Sequence, residues 1–300
     1  MRTFFLLGFA VISLSITIPA AIAQQLSVTG CGISKKAYME KAIKAYAAKV
    51  NATPRLSGGG AQKGIRLAAA GKVNMGASCR QRLVEDGDLH VAERDAKLIP
   101  VAWDALVAIT HRDNPVTNLT TAQLAGIFNG DITNWSQVGG ADMPITVMTR
   151  KGSTSGVGYM ARMMLFGSPS YEFKAKGKVF KSTGPLEKNA AATPGSIALD
   201  GYSSARLASV ALIGIDGFEP TAANIASGDY PHFRPLYVAV KSGEANPLTL
   251  GFVDFLLSEE GQAVIASSNT VNLQMGSALG AKWKARSLTF GTNWQESVFQ

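Results

Sequence analysis

From Leu26 onward the chain alternates short continuous apolar runs with longer segments whose apolar residues fall three and four positions apart. Short runs of this kind read as strands buried on both faces, and the spaced segments as helices with one face inward. Residues 26–29 predict a strand. Ser34 is the expected cap of a helix to about Val50, with Met39, Ile43, Tyr46 and Val50 on one face. Residues 60–70 predict a second helix, 73–77 a second strand, and the charged stretch 85–97 a helical segment. "LIPVAWDALVAITH" is long and β-branched, which suits a strand crossing between two lobes. "TTAQLAGIFNG" predicts a short capped helix, "PITVM" a strand and residues 156–166 a Met-rich helix. "GSIALDGYS" and "VALIGI" predict strands, "YPHFRPLYVAV" a second crossing strand, and "LTLGFVDFLLSEEGQAVI" one amphipathic helix with Phe252, Phe255, Leu256 and Val264 inward.

Strand–helix alternation predicts an α/β fold with mainly parallel sheets. Two crossing strands make it a two-lobed clamshell: residues 24–105 plus 236–300 form lobe one and 106–235 lobe two. A ligand is then expected between the lobes, at the carboxyl ends of the strands. The tail at 274–300, with Trp283 and Trp294, has no assigned role.

The first 23 residues change where this fold is expected to work. Arg2, the apolar run at 4–19 and Ala21-Ile22-Ala23 before Gln24 read as a cleavable secretory signal peptide. A lipid-attachment reading of Val28-Thr29-Gly30-Cys31 competes, but Gln24 and Gln25 separate the apolar run from that cysteine. No later apolar run approaches the ~20 residues that span a bilayer, so a soluble, periplasmic mature chain is expected. Of the 300 residues, 29 are Lys or Arg and 21 Asp or Glu, a formal net charge of +8. The basic residues are scattered and aromatics are few, which argues against a nucleic-acid surface. A mild positive surface suits an anionic ligand and equally a merely soluble basic protein. Cys31 and Cys79 are the two cysteines; in an oxidising compartment a disulfide between them and two free thiols both stay open. His90, His111 and His232 lie far apart and no metal-ligand spacing occurs, so no metal or cofactor is expected.

Three turns carry the candidate chemistry. "TGCGIS", "LSGGGAQKG" and "TRKGSTSG" each precede a predicted helix. The first amides of a helix lack intrahelical partners and sit at the positive end of its dipole, which favours an anion. Gly32 and Gly58 let backbone approach closely. Ser34, Ser57, Ser153, Thr154 and Ser155 add hydroxyls, and Arg150 adds a permanent charge whose fork matches two oxygens of a tetrahedral oxyanion.

"SGGGAQKGIRLAAAGKVNMGASCR", "LTTAQLAGIFNGDITNW", "TRKGSTSG", "ATPGSIALDGYSS" and "IDGFEPTAANIASGDYPHFRPLYVAVK…FVDFLLSEEGQAVI" occur in that order. Together they resemble the phosphate-binding component of bacterial phosphate ABC transporters, a type II periplasmic binding protein, over residues 26 to about 272. The resemblance implies a monomeric carrier that captures phosphate and delivers it to a membrane ABC permease. By position, Ser34, Ser57, Arg150, Ser153, Thr154 and Ser155 resemble oxyanion-contacting residues. Many relatives carry an aspartate after the second predicted strand that accepts a proton from phosphate; Cys79 stands there, followed by Arg80. Other relatives carry Ser-Arg, which "SCR" resembles, and Asp104 then competes between proton acceptor and structural carboxylate. "RKGSTSG" is one residue short of the usual arginine-to-serine spacing. Sulfate, molybdate or tungstate, or a sensory role, are the alternatives within binding proteins. A phosphoester hydrolase fits less well: Thr154 rather than serine is central in "GSTSG", and His111 is the nearest candidate base.

Overall fold

A computed structural model describes residues 24–289. The expected leader at 1–23 and the chain beyond 289, with Trp294, lie outside the described residues. Strands β1 (Gln25–Gly30), β2 (Thr53–Gly58) and β3 (Met75–Ser78) pair in parallel with β1 between the others. Parallel neighbours need a crossover. The first is a helical stretch of α1 (Gly32–Ser34), a π turn at Lys35–Met39 and α2 (Glu40–Lys49); the second is α3 (Ala61–Ala69). A small hairpin, β4 (Val84–Glu85) and β5 (Asp88–Leu89), leads to β6 (Ala96–Thr110). Next come β7 (Asn118–Leu119), α4 (Thr121–Asn129), β8 (Thr146–Arg150), α5 (Gly156–Phe166), β9 (Gly177–Phe180), α6 (Thr183–Ala192), β10 (Ser196–Gly201), α7 (Tyr202–Ala205), β11 (Ala211–Ile215) and α8 (Ala222–Ser227). The chain returns through β12 (Phe233–Lys241) to α9 (Pro247–Leu257), α10 (Glu259–Ala266), β13 (Val271–Asn272) and α11 (Leu279–Thr289).

Strand β6 joins two sheets. Residues 96–105 pair antiparallel with β12, whose other edge meets β3. Residues 106–110 pair antiparallel with β10 and β11, and β10, β8 and β9 continue in parallel. The order is therefore β2-β1-β3-β12-β6-β10-β8-β9. Pairing is parallel in the outer βα units and antiparallel where β6 and β12 pass through, giving a mixed sheet. Every residue from Pro100 to Thr110 is buried, as a strand covered on both faces requires. Where β6 changes sheet, Leu106 N–H donates to the His232 carbonyl at 2.9 Å.

Several local expectations are revised. The helix after β1 starts two residues before Ser34, with Cys31 at its N-cap position. Thr53–Gly58 is a strand that patterning missed, because it is a mostly exposed edge carrying Pro54. Residues 85–97 form the β4–β5 hairpin, turns and the start of β6 rather than a helix. The predicted long helix after β12 breaks at Ser258, whose hydroxyl caps α10 by accepting from Gly261 N–H. Helix α4 has its capping box, Thr120 with Gln123, and ends at Gly130. From the unassigned tail, α11 buries Trp283, whose ring centroid lies 6.2 Å from that of Phe233 at the start of β12.

Candidate functional site

Four helix starts surround one cavity of about 280 Å³. Its wall includes Gly32 and Ile33 of α1, Gly58 to Ala61 at the start of α3, Gly156 and Val157 of α5, and Lys181 to Gly184 at the start of α6. The three glycine–hydroxyl turns read from sequence thus meet, and a fourth, Lys181-Ser182-Thr183-Gly184, joins them. This last was legible in principle as a hydroxyl-glycine turn before a helix, but the polar stretch around it has little periodicity.

Local sequence explains the convergence. Gly64 packs α3 directly on the sheet: a Cβ there would lie 2.8 Å from the Ala77 carbonyl oxygen and 2.9 Å from Gly30 Cα. Only glycine allows that approach, and it sets the start of α3 beside the end of β1. Cys31 and Cys79, one after β1 and one after β3, are joined by a disulfide with Cα atoms 6.2 Å apart, and both line the cavity. The first turn of α5 rests on this bond. A Cβ on Gly156 would overlap Cys79 Sγ and come within 3.3 Å of Ala61 Cβ. We expect Gly156→Ala to hold the two sides apart and to weaken ligand binding by about tenfold or more, a lost closure of ~1.4 kcal/mol or above. Titration calorimetry checks this, and unchanged affinity would show that the contact does not control closure.

The helix starts differ in capping. Ser155 caps α5, accepting from Gly158 N–H at 3.0 Å. Cys31, Gly60 and Ser182, at the same positions of α1, α3 and α6, make no side-chain cap. Since a cap serves to satisfy first-turn amides, three of the four starts leave that task to another partner. Positive side chains add to the donors: Arg150, Lys35, Lys36 and Lys181 line the cavity, against one carboxylate, Glu40. Glu40 is itself 3.5 Å from Lys35 Nζ.

Arg150, at the end of β8, donates from Nη1 to Thr183 Oγ1 at 2.7 Å and from Nη2 to the Lys181 carbonyl at 3.1 Å. Its buried Nε has no hydrogen-bond partner among the described residues. Burial lowers its pKa from the ordinary value, against the opposing charges of Asp200 and Glu187. An arginine starts so high that it stays charged. The guanidinium therefore ties down the missed fourth turn as well as charging the cleft.

Other candidates fall elsewhere. The hydroxyl of Ser34, fully buried, donates to the Ser78 carbonyl at 3.3 Å. Ser57 Oγ donates to Thr29 Oγ1 at 2.8 Å, and Thr29 Oγ1 to the Gly58 carbonyl at 3.2 Å. These bonds shape the turn without facing the cavity. Ser153, Thr154 and Ser155 do not line it either; Thr154 Oγ1 is 2.9 Å from the Gln62 side-chain amide. From that turn the wall is backbone. Arg80 is buried in a bidentate pair with Glu93, at 2.9 and 2.8 Å, and its Nε donates to the Thr154 carbonyl at 2.8 Å. Burial alone would raise the Glu93 carboxyl, but Arg80, the Leu83 amide and Arg66 hold it below the ordinary range. Asp104 is also off the cavity: one oxygen accepts from Ser203 N–H and Oγ–H at 2.9 and 2.8 Å, the other from Arg234 at 3.0 Å. These bonds tie it to α7 and β12 where β6 changes sheet. Of the sequence candidates, Gly32, Gly58, Cys79 and Arg150 share the cavity wall. His111 lines a separate cavity that has no residue in common with this one. Among the described residues no group of three His, Cys, Asp or Glu is placed to hold a metal, and no helix is long and apolar enough to cross a membrane.

An α/β clamshell with helix starts and cations around an inter-sheet cavity defines a class, the two-lobed binding proteins of small anions. The PBP superfamily domain matches residues 17–260, and the chain belongs to that superfamily and, within it, to the family of the PstS phosphate-binding proteins. It is 29% identical over 248 residues to the phosphate-binding protein PstS of Bacillus subtilis, covering 81% of this chain and 78% of that protein. With PstS of Borreliella burgdorferi it shares 30% over 189 residues, 61% of this chain and 68% of the relative. Among solved structures, it resembles a Clostridium perfringens protein described as a phosphate ABC transporter substrate-binding protein with bound phosphate. That match has a TM-score of 0.74 and 27% identity, over 83% of this chain and 99% of the other. An ABC-type phosphate transport receptor from Vibrio cholerae matches at TM-score 0.64 and 26% identity, over 82% and 99%.

Proposed function

We propose that this protein is a periplasmic carrier that captures phosphate between its lobes and delivers it to a membrane ABC permease. The convergence of four helix starts, three without side-chain caps, with Arg150 around one cavity carries the reading. Each amide or guanidinium bond to an anion contributes about 1.5–3 kcal/mol, and several together reach the ~8 kcal/mol of micromolar binding. The names of its relatives support phosphate as the anion and a permease as the recipient. The leader expected at 1–23 supports export, and the mature chain acts as a monomer. We place lobe one at 24–105 plus 236–300 and lobe two at 106–235; since β12 already pairs with β6 at Phe233, the return crossing lies just before that residue. Binding without turnover is the reading we favour: the cleft wall is made of donors and cations, and His111 lines a separate cavity.

A second oxyanion is favoured by one observation. The position where many relatives would place a proton-accepting aspartate is Cys79, tied in the disulfide, and the one carboxylate in the wall is paired with Lys35. Without a buried carboxylate to repel an unprotonated anion, discrimination of hydrogen phosphate from sulfate weakens. Calorimetry with phosphate, sulfate, molybdate and tungstate tests both readings. Stoichiometric binding tightest for phosphate is expected. Tighter binding of another oxyanion would reassign the ligand, and heat from none of them would overturn the carrier reading.

A further inference from the structure

Behind the cleft lies a pair of carboxyl groups that ligand capture by helix starts does not use. Asp200 on β10 is 1% exposed and Glu187 on α6 is 6% exposed. Glu187 is well supplied with donors: Lys36 Nζ donates to Oε2 at 3.0 Å, and the Ser204 hydroxyl donates to Oε1. Lys36 also donates to Ser204 Oγ at 2.9 Å. Asp200 is the reverse case, with both oxygens buried and neither receiving a well-formed hydrogen bond. A carboxylate buried without a hydrogen-bond donor is costly to ionise, even with Arg150 nearby. A proton on Asp200 resolves this, because it turns the orphaned carboxylate into a donor toward Glu187.

We propose that Asp200 is held neutral behind the cleft, so that Glu187 positions Lys36 across the cleft while the charge of Arg150 stays available to a bound anion. The proposal rests on the oxyanion-binding reading of the cleft and names the residues that regulate it. Lys36 belongs to the helical stretch after β1, whereas Glu187 and Ser204 belong to the second sheet's helices. Its ammonium thus fastens the two sides of the cleft to each other. If Asp200 ionised, a second buried negative charge would compete for Arg150 and oppose an incoming anion.

The charged surroundings are consistent with one proton. Burial first, then the Glu187 charge and its hydrogen bond, push Asp200 well above its ordinary value, while the Gly201 amide and Arg150 oppose them. Arg150 reaches the pair from β8. From β6 and β12, Asp104 and Arg234 lie beside Gly201 but neutralise each other at 3.0 Å. Arg206, which follows α7, is turned to the Ser268 carbonyl, and Arg162 of α5 to the Tyr171 and Gly158 carbonyls. Lys181 lines the cleft.

The sign of the effect follows. Protonated Asp200 is the form that favours anion capture, so affinity falls as pH rises and the proton leaves. One extra unit charge several ångströms from the ligand, at an effective dielectric of about 20, corresponds to about tenfold or more in affinity. The test compares the whole protein with Asp200→Asn, whose amide is neutral at every pH and still donates to Glu187. Phosphate affinity is measured between about pH 5 and pH 9, and the ratio of the two proteins is taken at each pH so that phosphate's own titration cancels. The ratio should stay within about threefold at the acid end and open to about tenfold at the alkaline end, with the variant tighter. A ratio that stays flat across the pH range over which the infrared carboxylic-acid band of the parent disappears, or a variant weaker than the parent at alkaline pH, overturns the proposal.

Infrared spectroscopy of the ligand-free protein gives a readout independent of binding. A carboxylic-acid carbonyl band should be present at neutral pH and lost in Asp200→Asn. Glu187→Gln serves if that variant fails to fold: losing the Glu187 charge should move the loss of the band to lower pH, while burial still holds Asp200 above its ordinary value. Absence of the band from the parent protein also overturns the proposal. A parent protein that shows the band but binds no oxyanion would sink the carrier reading and leave the neutral Asp200 standing.

Discussion

Replacing Arg150 with alanine is expected to lower phosphate affinity by between about tenfold and hundredfold, the equivalent of one charge-assisted hydrogen bond of ~1.5–3 kcal/mol. Two effects combine. Among the described residues the guanidinium is the one arginine in the cavity wall, and its Nε has no hydrogen-bond partner. It also holds the start of α6 through Thr183 and the Lys181 carbonyl. Losing it removes a charge and frees a whole turn of backbone donors, which must then be ordered by the ligand. Arg150→Lys should fall between parent and alanine, because it restores charge without the fork. Titration calorimetry reads both variants. Parental affinity in the alanine protein would take the cation out of the binding account and leave the amides alone.

Removing the disulfide by changing Cys31 and Cys79 together to alanine should lower the unfolding free energy by about 4 kcal/mol. The bond closes a loop with a sequence separation of 48, and the chain-entropy model gives that figure for a loop of this size. Denaturant titration measures it. The cleft should suffer too, because the bond joins the turns after β1 and β3 and supports Gly156 of α5. A stability change below about 1 kcal/mol would mean that the folded contacts around both turns, rather than the covalent link, hold them in place.

The position after β3 deserves comparison with its relatives. The resemblance implies an aspartate there, able to accept a proton from phosphate. Here a cysteine stands in that place, bonded to the opposite turn, and the carboxyl groups near the cleft are set back behind Lys36 and Arg150 as Glu187 and Asp200. On the proposal above, charge selection falls to Lys36 and Arg150, with Asp200 behind them. This arrangement predicts weaker rejection of sulfate together with a stronger dependence of affinity on pH.

Patterning by itself determined the α/β class, the crossing strand β6, most βα units and the three glycine–hydroxyl turns at helix starts. Each of these is a local property: burial on both faces writes a continuous apolar run, and amides at a helix start call for glycine and small polar residues nearby. The edge strand Thr53–Gly58 and the turn at Lys181 to Gly184 escaped, since exposed backbone leaves little apolar signature. Only the tertiary structure decided which way each polar side chain points. Ser34, Ser57, Thr154 and Arg80 have the right chemistry for an anion, and Asp104 for a proton on one, yet packing turns each toward a protein partner. It also decided that Asp200 and Glu187, on the consecutive elements β10 and α6, would both be buried behind the cleft. Composition names the donors available, but the distance between two carboxyls, and with it their charge, exists only after the chain has closed on itself.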